Sequence, residues 1–313
     1  MHSIDAMSRD IDSQKEQLVS LELPSIEENI EDCIFTGSGD SFVASLIGSY
    51  ASNYRAKCCH PMDIVMNPKI ALNRKVFLVS ISGSTRATLL AAKMAKRYAK
   101  RTVSITAKRK SPLGKISDEL IHVRYKSSNV VTAGTIGFTA CMINCISLMN
   151  EVKLSNLEKI FNESAACAEF LINLQADEPS KHVFLGNGPA FPAALYGSLK
   201  MVEVFGIDTF AYNLDEYCHA PIFNTKTGDR IIIMANNEAD LRICKVIKTR
   251  LNKHHVSVFY ITSTRQNMVK NLLKFIFFSQ LYPSKLAMKN RLEDCYFLKN
   301  TDLLGLSSSL IYT

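Results

Sequence analysis

The sequence predicts an α/β protein with two similar domains, each a parallel β-sheet flanked by helices. The chain has 313 residues, which is long for one core and comfortable for two domains of ordinary size. A glycine-rich turn between a β-rich run and a helical stretch occurs twice. The runs predicted to be strands are apolar on both faces, which is typical of buried parallel strands.

The glycine turn is repeated in the two halves of the chain. Residues 35–48 read FTGSGDSFVASLIG and residues 184–197 read FLGNGPAFPAALYG, so both fit F-x-G-x-G-x-x-F-x-A-x-L-x-G without a gap. This pattern predicts a strand, a tight turn and a helix. The third glycine of a dinucleotide-binding fingerprint is replaced by Phe42 and by Phe191, so we expect no bound nucleotide and no cofactor.

The later strands are also predicted in pairs. The paired apolar runs are residues 75–82 with 230–235, and residues 101–106 with 256–262. We therefore expect one domain at residues 1–165, with an N-terminal helical leader, and a second at residues 166–313, with a C-terminal tail. The first is predicted to bind phosphate and the second to carry the catalytic groups.

The composition predicts a cytoplasmic protein. With 47% hydrophobic and 21% charged residues, the chain has the balance of a globular protein, and its richest apolar run, residues 272–278, is too short to cross a bilayer. Residues 1–14 are acidic and polar, unlike a signal peptide. The nine cysteines show no disulfide framework. Because Cys58, Cys59 and His60 are adjacent, they cannot easily reach one tetrahedral metal ion, so we expect buried or half-buried thiols and no metal site.

The net charge of +8 favours an anionic partner. Part of the excess lies in residues 93–115, where it is explained by one solvated helix face and one loop. Nucleic-acid binding would need aromatic residues among these basic ones, or a recognisable module, and neither is present. A small phosphorylated metabolite accounts for the charge, and we expect neither nucleic-acid nor membrane binding.

A hydroxyl-rich turn follows the second predicted strand of the first half. Its hydroxyl residues are Ser80, Ser82, Ser84 and Thr85, around Gly83. The free N–H groups and dipole of a helix amino terminus suit a phosphate, and short hydroxyls add donors. Helix capping is the alternative, but it explains one hydroxyl rather than four. Ser38, in the first glycine turn, is expected at the same edge of the sheet.

The second half lacks such a turn, because its equivalent, residues 235–240, is acidic and would repel phosphate. The helix after its glycine turn instead carries Tyr196, Lys200 and Glu203 on one face. A carboxylate with a nearby cation could move a proton between C1 and C2 of a sugar, although a surface ion pair is an equal alternative. His219, before a proline in a predicted loop, is either structural or able to open a sugar ring.

Several segments together resemble the sugar isomerase, or SIS, domain family. Residues 185–206 (LGNGPAFPAALYGSLKMVEVFG) and 214–223 (LDEYCHAPIF) are most similar to the isomerase half of glucosamine-6-phosphate synthase and to amino-sugar-phosphate deaminases and deglycases. In the first half, TGSGDS, HPMDIVMNP and SISGST follow the order of the family. The leader residues 10–14 (DIDSQ) resemble its acidic-Ile-x-x-Gln start, so the likeness spans nearly the whole chain.

The resemblance implies two tandem SIS domains and a role for each candidate residue. It implies phosphate or substrate binding by Ser38, Ser80, Ser82, Ser84, Thr85, Thr132 and Gly134. Glu203 would transfer the proton with the help of Lys200, His219 would open the ring, and Lys299 would cap the site. The family's sugar-contacting Ser-Thr-Lys stretch here reads Gly-Thr-Ile from residue 134, which leaves the identity of the sugar open.

The resemblance also implies a reaction and an assembly. The leader and the segment from Glu216 to Pro221 resemble the amino-sugar branch, which predicts an isomerising deaminase that converts glucosamine-6-phosphate into fructose-6-phosphate and ammonia. The alternatives are a phosphoglucose/phosphomannose isomerase, a fructosamine-6-phosphate deglycase, and a sugar-phosphate sensor without catalysis. The expected assembly is a homodimer whose active site lies at the subunit interface.

Overall fold

The structure is a computed structural model that describes residues 1–174, 181–263 and 267–312. The helices are α1 (Ser3–Asp12), α2 (Gln14–Gln17), α3 (Asp40–Ala51), α4 (Pro61–Met66), α5 (Arg86–Tyr98), α6 (Pro112–Ile116), α7 (Ile136–Ser147), α8 (Leu157–Asn173), α9 (Ala190–Phe205), α10 (Leu214–Tyr217), α11 (Glu238–Leu251), α12 (Met268–Lys289), α13 (Tyr296–Lys299) and α14 (Thr301–Ile311). The strands are β1 (Cys33–Gly37), β2 (Lys57–Cys59), β3 (Lys75–Val79), β4 (Arg101–Thr106), β5 (Glu119–His122), β6 (His182–Gly186), β7 (Thr209–Tyr212), β8 (Arg230–Ala235) and β9 (Ser257–Thr262).

The chain divides into two compact units, each built around one sheet. The first-sheet unit consists of Glu16–Ser127, Gly134–Lys153 and Asn300–Thr313. The second-sheet unit consists of Met1–Lys15, Ser128–Ala133 and Leu154–Lys299. None of the helices in the described part of the chain is long and apolar enough to cross a membrane.

In the first-sheet unit, five parallel strands lie in the order β2-β1-β3-β4-β5. Strand β1, which lies between β2 and β3, is buried along its whole length, and so is every residue of α7. The chain leaves β1 through α3 toward β2 on one side, and leaves β3 through α5 toward β4 on the other. The loops after β1 and β3 therefore diverge and leave a crevice at the carboxyl edge of the sheet, where ligands of open α/β sheets bind.

The second-sheet unit repeats this topology with four parallel strands in the order β7-β6-β8-β9. Here α9 follows β6 toward β7, and α11 follows β8 toward β9, so the loops after β6 and β8 also diverge. The long helix α12 packs against α8 and α9, and α1 packs against α12.

The repeated sequence motif has a packing reason. A Cβ added at Gly48 of α3 would lie 3.1 Å from the ring of Phe35, and one added at Gly197 of α9 would lie 2.9 Å from the ring of Phe184. These distances are shorter than ordinary van der Waals contact. The last glycine of each motif therefore lets the helix lie against the first phenylalanine of the same motif.

The predicted α/β class, with parallel sheets flanked by helices, is confirmed. All six predicted strands are present, with small differences in their ends. The predicted domain boundary between residues 165 and 166 stays a prediction. The two compact units of the structure have different boundaries. The leader belongs with the second sheet because α1 packs against α12, and the tail belongs with the first sheet because α14 packs against α5.

Candidate functional site

The hydroxyl-rich turn joins β3 to α5 at the crevice of the first sheet. Gly37 and Val79 are register partners at the carboxyl ends of the adjacent strands β1 and β3. Ser38 and Ser80 directly follow these two residues. The structure thus places Ser38 at the same sheet edge as the hydroxyl turn, as the sequence predicts.

Hydrogen bonds within the turn draw the hydroxyls together. Ser80 Oγ lies 3.1 Å from Thr85 Oγ1 and accepts a bond of 3.1 Å from the N–H of Gly83. Ser82 Oγ accepts from both the N–H of Ser84, at 3.3 Å, and its hydroxyl, at 3.1 Å. Except for buried Ser80, the hydroxyl residues are only half-buried, so an incoming ligand can reach them.

The geometry does not support helix capping as the role of these hydroxyls. Thr85 is the N-cap residue of α5, yet its side chain makes no capping hydrogen bond within the described part of the chain. The first turn of α5, a helix of 13 residues, therefore has N–H groups that no cap side chain satisfies. Such a helix start binds anions readily.

A buried ion pair lies on α9 in the second-sheet unit. The side chain of Lys200 is fully buried, that of Glu203 is 34% exposed, and Lys200 Nζ lies 2.5 Å from Glu203 Oε2. The ammonium also lies 5.0 Å from the ring centre of Tyr196, so the three residues share one helix face as predicted. A buried ammonium is unfavourable unless it is paired. The pair therefore joins a buried ammonium to a partly exposed carboxylate, rather than two solvated side chains.

Side chains from other elements hold this helix face in place. Gln280 of α12 donates a 3.1 Å hydrogen bond from Nε2 to the hydroxyl of Tyr196. Gln14, at the start of α2, donates a 2.6 Å bond from Nε2 to Oε1 of Gln280. The leader thus supports the helix that carries Lys200, which is a structural role for the glutamine of its DIDSQ segment.

Cys295 connects the ion pair to a third segment of the same unit. Burial is the main reason that the pKa of its thiol is raised; the charge of Glu203 also raises it, while Lys200 lowers it. The backbone of Ala133 hydrogen-bonds to Cys295, and Thr132 Oγ1 donates to the carbonyl of Ala133 at 3.1 Å. Thr132 therefore lies on a segment that borders the ion pair.

The candidate residues His219 and Lys299 are both exposed to solvent. His219 follows α10, whose residues Leu214 and Tyr217 are buried in the second-sheet core. Lys299 ends α13, which packs on α9. Among the described residues, neither side chain forms a hydrogen bond or ion pair with Glu203.

The remaining candidate, Gly134, belongs to the first-sheet unit and lies two residues before α7. Gly134 therefore lies in the first-sheet unit, which contains the hydroxyl turn, whereas Thr132 lies in the second-sheet unit, which contains the ion pair. In the described parts of the chain, no group of three or more His, Cys, Asp or Glu side chains could hold a metal ion.

Sequence reasoning missed the supporting residues Gln280 and Cys295. An amide inside the apolar run of α12 was the available signal for Gln280, because a buried amide needs hydrogen-bond partners. Nothing in the local sequence distinguishes Cys295 from the other eight cysteines, since its place beside the ion pair results from tertiary packing.

Comparison with known proteins identifies relatives of the chain. No model of a known protein family matches it. It is 26% identical over 249 residues to the isomerizing glutamine–fructose-6-phosphate aminotransferase of Sulfurisphaera tokodaii, covering 75% of this chain and 41% of that protein. It is 25% identical over 235 residues to the protein of the same name from Clostridium tetani, covering 67% and 38%. The chain thus spans about two fifths of the length of these curated relatives.

Solved structures share its fold along almost the whole chain. Glucosamine-6-phosphate deaminase of Thermotoga maritima matches with a TM-score of 0.76 and 20% identity, covering 93% of this chain and 95% of that one. The C-terminal domain of glucosamine-fructose-6-phosphate aminotransferase from Francisella tularensis matches with 0.67 and 19%, covering 92% and 98%. Tagatose-6-phosphate ketose/aldose isomerase of Escherichia coli matches with 0.63 and 16%, covering 92% and 88%. The chain is therefore similar in sequence to part of these isomerizing aminotransferases, and its fold is similar to that of these solved phosphosugar proteins.

Proposed function

We propose that the chain is a phosphosugar aldose–ketose isomerase that acts as an isomerising deaminase. It converts glucosamine-6-phosphate and water into fructose-6-phosphate and ammonia. The observation that carries this proposal is the buried ammonium of Lys200, bound at 2.5 Å to the partly exposed carboxylate of Glu203. A carboxylate held in this way can be reached by a substrate and is oriented by a fixed cation.

The proposed chemistry uses one group for each step. His219 opens the sugar ring by proton transfer, since an imidazole ring can both donate and accept a proton. Glu203 takes the proton from C2 and returns it at C1, which changes the amino aldose into a ketose imine. Water then adds to C2, the C–N bond breaks, and ammonia leaves. Lys200 assists by polarising the substituent at C2.

The proposed binding of the phosphate uses the first-sheet unit. Ser38 and the hydroxyl turn lie where the loops after β1 and β3 diverge, and the start of α5 supplies N–H groups. The net charge of +8 also favours an anionic substrate. We propose substrate contacts for Thr132 and Gly134, and a capping contact for Lys299.

The proposed assembly is a homodimer in the cytoplasm, with the active site at the subunit interface. His219 is exposed on its own chain, and Phe223, on the same segment, is 89% exposed. An interface would bury this apolar ring and bring the histidine to a neighbouring subunit. All nine cysteines, which lie in the described residues, are free thiols, as expected for a reducing compartment.

An ammonia assay tests the reaction. The protein is incubated with glucosamine-6-phosphate, and ammonia is measured with glutamate dehydrogenase while NMR identifies the sugar product. We expect fructose-6-phosphate and ammonia in equal amounts. Conversion of glucose-6-phosphate to fructose-6-phosphate, with no ammonia from glucosamine-6-phosphate, would instead identify a phosphoglucose-type isomerase. Turnover of fructosamine-6-phosphates alone would identify a deglycase, and saturable binding without any turnover would identify a sensor.

A double substitution tests the phosphate site. Ser82→Ala combined with Thr85→Ala removes two donors to a charged ligand, each contributing about 1.5–3 kcal/mol. We expect KM for the sugar phosphate to rise by roughly 10²- to 10⁴-fold, with a smaller change in kcat. The matched control, Ser20→Ala with Thr249→Ala, removes two exposed hydroxyls elsewhere. Equal KM values in the two double variants would rule out the hydroxyl turn.

A further inference from the structure

A second pocket lies at the carboxyl edge of the second sheet. Its volume is about 340 Å³, at the small end of the roughly 300–1,000 Å³ that is usual for ligand sites. It is lined by Asn187 and Gly188 after β6, by Asn236 and Asn237 after β8, and by Met268 and Asn271 of α12. This is the point where the loops after β6 and β8 diverge, the preferred ligand position in an open α/β sheet.

The pocket is unsuited to an anion. No charged side chain of the described residues is among those that line it. Behind it lies Asp240, only 3% exposed, which accepts from Asn187 Nδ2 at 3.2 Å, Asn237 Nδ2 at 3.2 Å and the N–H of Asn236 at 3.1 Å. This buried carboxylate already accepts hydrogen bonds from the donors at the start of α11, so they are not available to a phosphate. Its negative charge would also repel a phosphate bound there.

The lining amides retain hydrogen-bonding capacity for a neutral ligand. Each side-chain amide has two N–H groups, and only one of them donates a hydrogen bond within the described part of the protein at Asn187, Asn236 and Asn237. The Oδ1 of Asn236 accepts no hydrogen bond from the described residues. Amides that can both donate and accept suit hydroxyl groups, which do the same.

The remaining walls are apolar or open. Met268 provides an apolar surface, and a Cβ added at Gly188 would meet no atom within 4 Å. A few oriented polar groups beside apolar surface are typical of a small-molecule site. The combination of amides, an apolar wall and no charged side chain among the described lining residues fits a single polyhydroxylated ring.

We propose that this pocket binds a neutral monosaccharide, separately from the proposed sugar-phosphate site. The two crevices occupy corresponding positions in the repeated topology but differ in chemistry. The hydroxyl turn and the uncapped start of α5 suit an anion, whereas the amide-lined pocket takes a sugar without phosphate. The proposal rests on the second-sheet unit alone and holds whether or not the chain is a deaminase.

Saturation-transfer NMR tests this binding. The probes are D-glucose, D-mannose and N-acetyl-D-glucosamine, titrated with the whole protein. We expect a saturable signal from at least one of them, and no loss of it in Ser82→Ala/Thr85→Ala. Absence of a saturable signal from all three would overturn the proposal. A signal lost in that double variant would also overturn it, since the sugar would then occupy the hydroxyl turn.

A pair of glycine substitutions locates the sugar. Gly188 and Gly39 have φ angles of 53° and 55°, and a Cβ at either meets no atom within 4 Å. Gly39 combines this φ with a ψ of −131°, outside the left-handed region that asparagine tolerates, so circular dichroism first verifies that both variants fold, and the methionine pair carries the test if either does not. Gly188→Asn places an amide in the pocket and should weaken sugar binding at least tenfold, whereas Gly39→Asn should leave it within twofold. Equal affinities in the two variants would place the sugar elsewhere. Met268→Trp, with the 82% exposed Met66→Trp as its control, repeats the test at a second residue that lines the pocket.

Discussion

Lys200 illustrates how burial decides the meaning of a polar residue. A spacing of four and three residues places Tyr196, Lys200 and Glu203 on one helix face, but the spacing alone does not say whether that face meets solvent. The structure buries Lys200 completely. A lone buried charge is strongly destabilising, so the pair with Glu203 has to be treated as one unit in any substitution.

The first prediction at the residue scale concerns proton transfer. Glu203→Gln keeps an oxygen that can accept from Lys200 but cannot take a proton from carbon. We expect the variant to bind glucosamine-6-phosphate while incorporation of solvent deuterium at C1 or C2 falls by roughly 10²- to 10⁴-fold. Glu158→Gln, at an exposed position of α8, is the control. Deuterium exchange at the wild-type rate in Glu203→Gln would exclude this residue as the base.

The second residue-scale prediction concerns acid stability. Burial, and to a lesser degree the charge of Arg230, lowers the pKa of His182 to about 3, and its Nε2 lies 2.9 Å from the hydroxyl of Tyr282. The ordinary value is about 6.5. Between these values the unfolded chain binds a proton that the folded chain excludes, so stability falls as pH decreases below about 6.5, with a slope of at most ~1.4 kcal/mol per pH unit.

Substitution isolates this contribution. His182→Gln removes the titrating ring, and we expect its free energy of unfolding to depend less steeply on pH between 6.5 and 5 than that of the wild type. His254→Gln, at an exposed position, should keep the wild-type slope. Urea titrations at several pH values measure both. Identical slopes for the two variants would mean that His182 is protonated in the folded protein.

At the scale of elements, the hydroxyl turn depends on one glycine. Gly83 has a φ angle of 65°, and a Cβ there would lie 2.2 Å from Ser111 Oγ. Gly83→Ala therefore adds a steric clash to the backbone strain, and we expect a loss of more than about 2 kcal/mol together with a raised KM. Gly39→Ala also introduces backbone strain, at φ 55° and ψ −131°, but a Cβ there meets no atom within 4 Å, so its loss should come from strain alone and be smaller. Chemical denaturation compares them, and equal losses would contradict the role of Ser111.

The elements also show what the sequence could and could not predict. The buried central strands were predicted because their runs are apolar on both faces. The edge strands β2, β5 and β7 were missed because they are short and only half-buried or exposed, so neither length nor alternation marks them. Cys58 and Cys59 lie in β2 and are half-buried thiols, as expected.

The candidate site was predictable to a similar extent. Spacing within one segment predicted the helix face of Lys200 and the hydroxyl turn, since both are local features. The contacts from Gln14, Gln280 and Cys295 join residues far apart in sequence. These contacts depend on how the helices pack against one another. Helix packing of this kind cannot be predicted from the residue pattern of a single sequence.

At the scale of the whole molecule, our proposals give the two copies of the repeated topology different ligands. Both sheets have a crevice between diverging loops, one lined by hydroxyls and one by amides. The catalytic candidates lie on elements around the second sheet, on α9 and after α10. One copy of the repeat could thus keep an anion site while the other acquired the ion pair.

The last prediction concerns the assembly. If His219 serves the active site of the partner subunit, a mixed dimer of Glu203→Gln and His219→Ala chains contains one intact site, because each chain supplies the residue that the other lacks. After full subunit exchange, about half of the dimers are mixed and half of their sites are intact, so activity should return to about a quarter of the wild-type value. Each variant alone should be almost inactive. Native mass spectrometry verifies the exchange, and a mixture that has exchanged but stays inactive would place both residues in the site of one subunit.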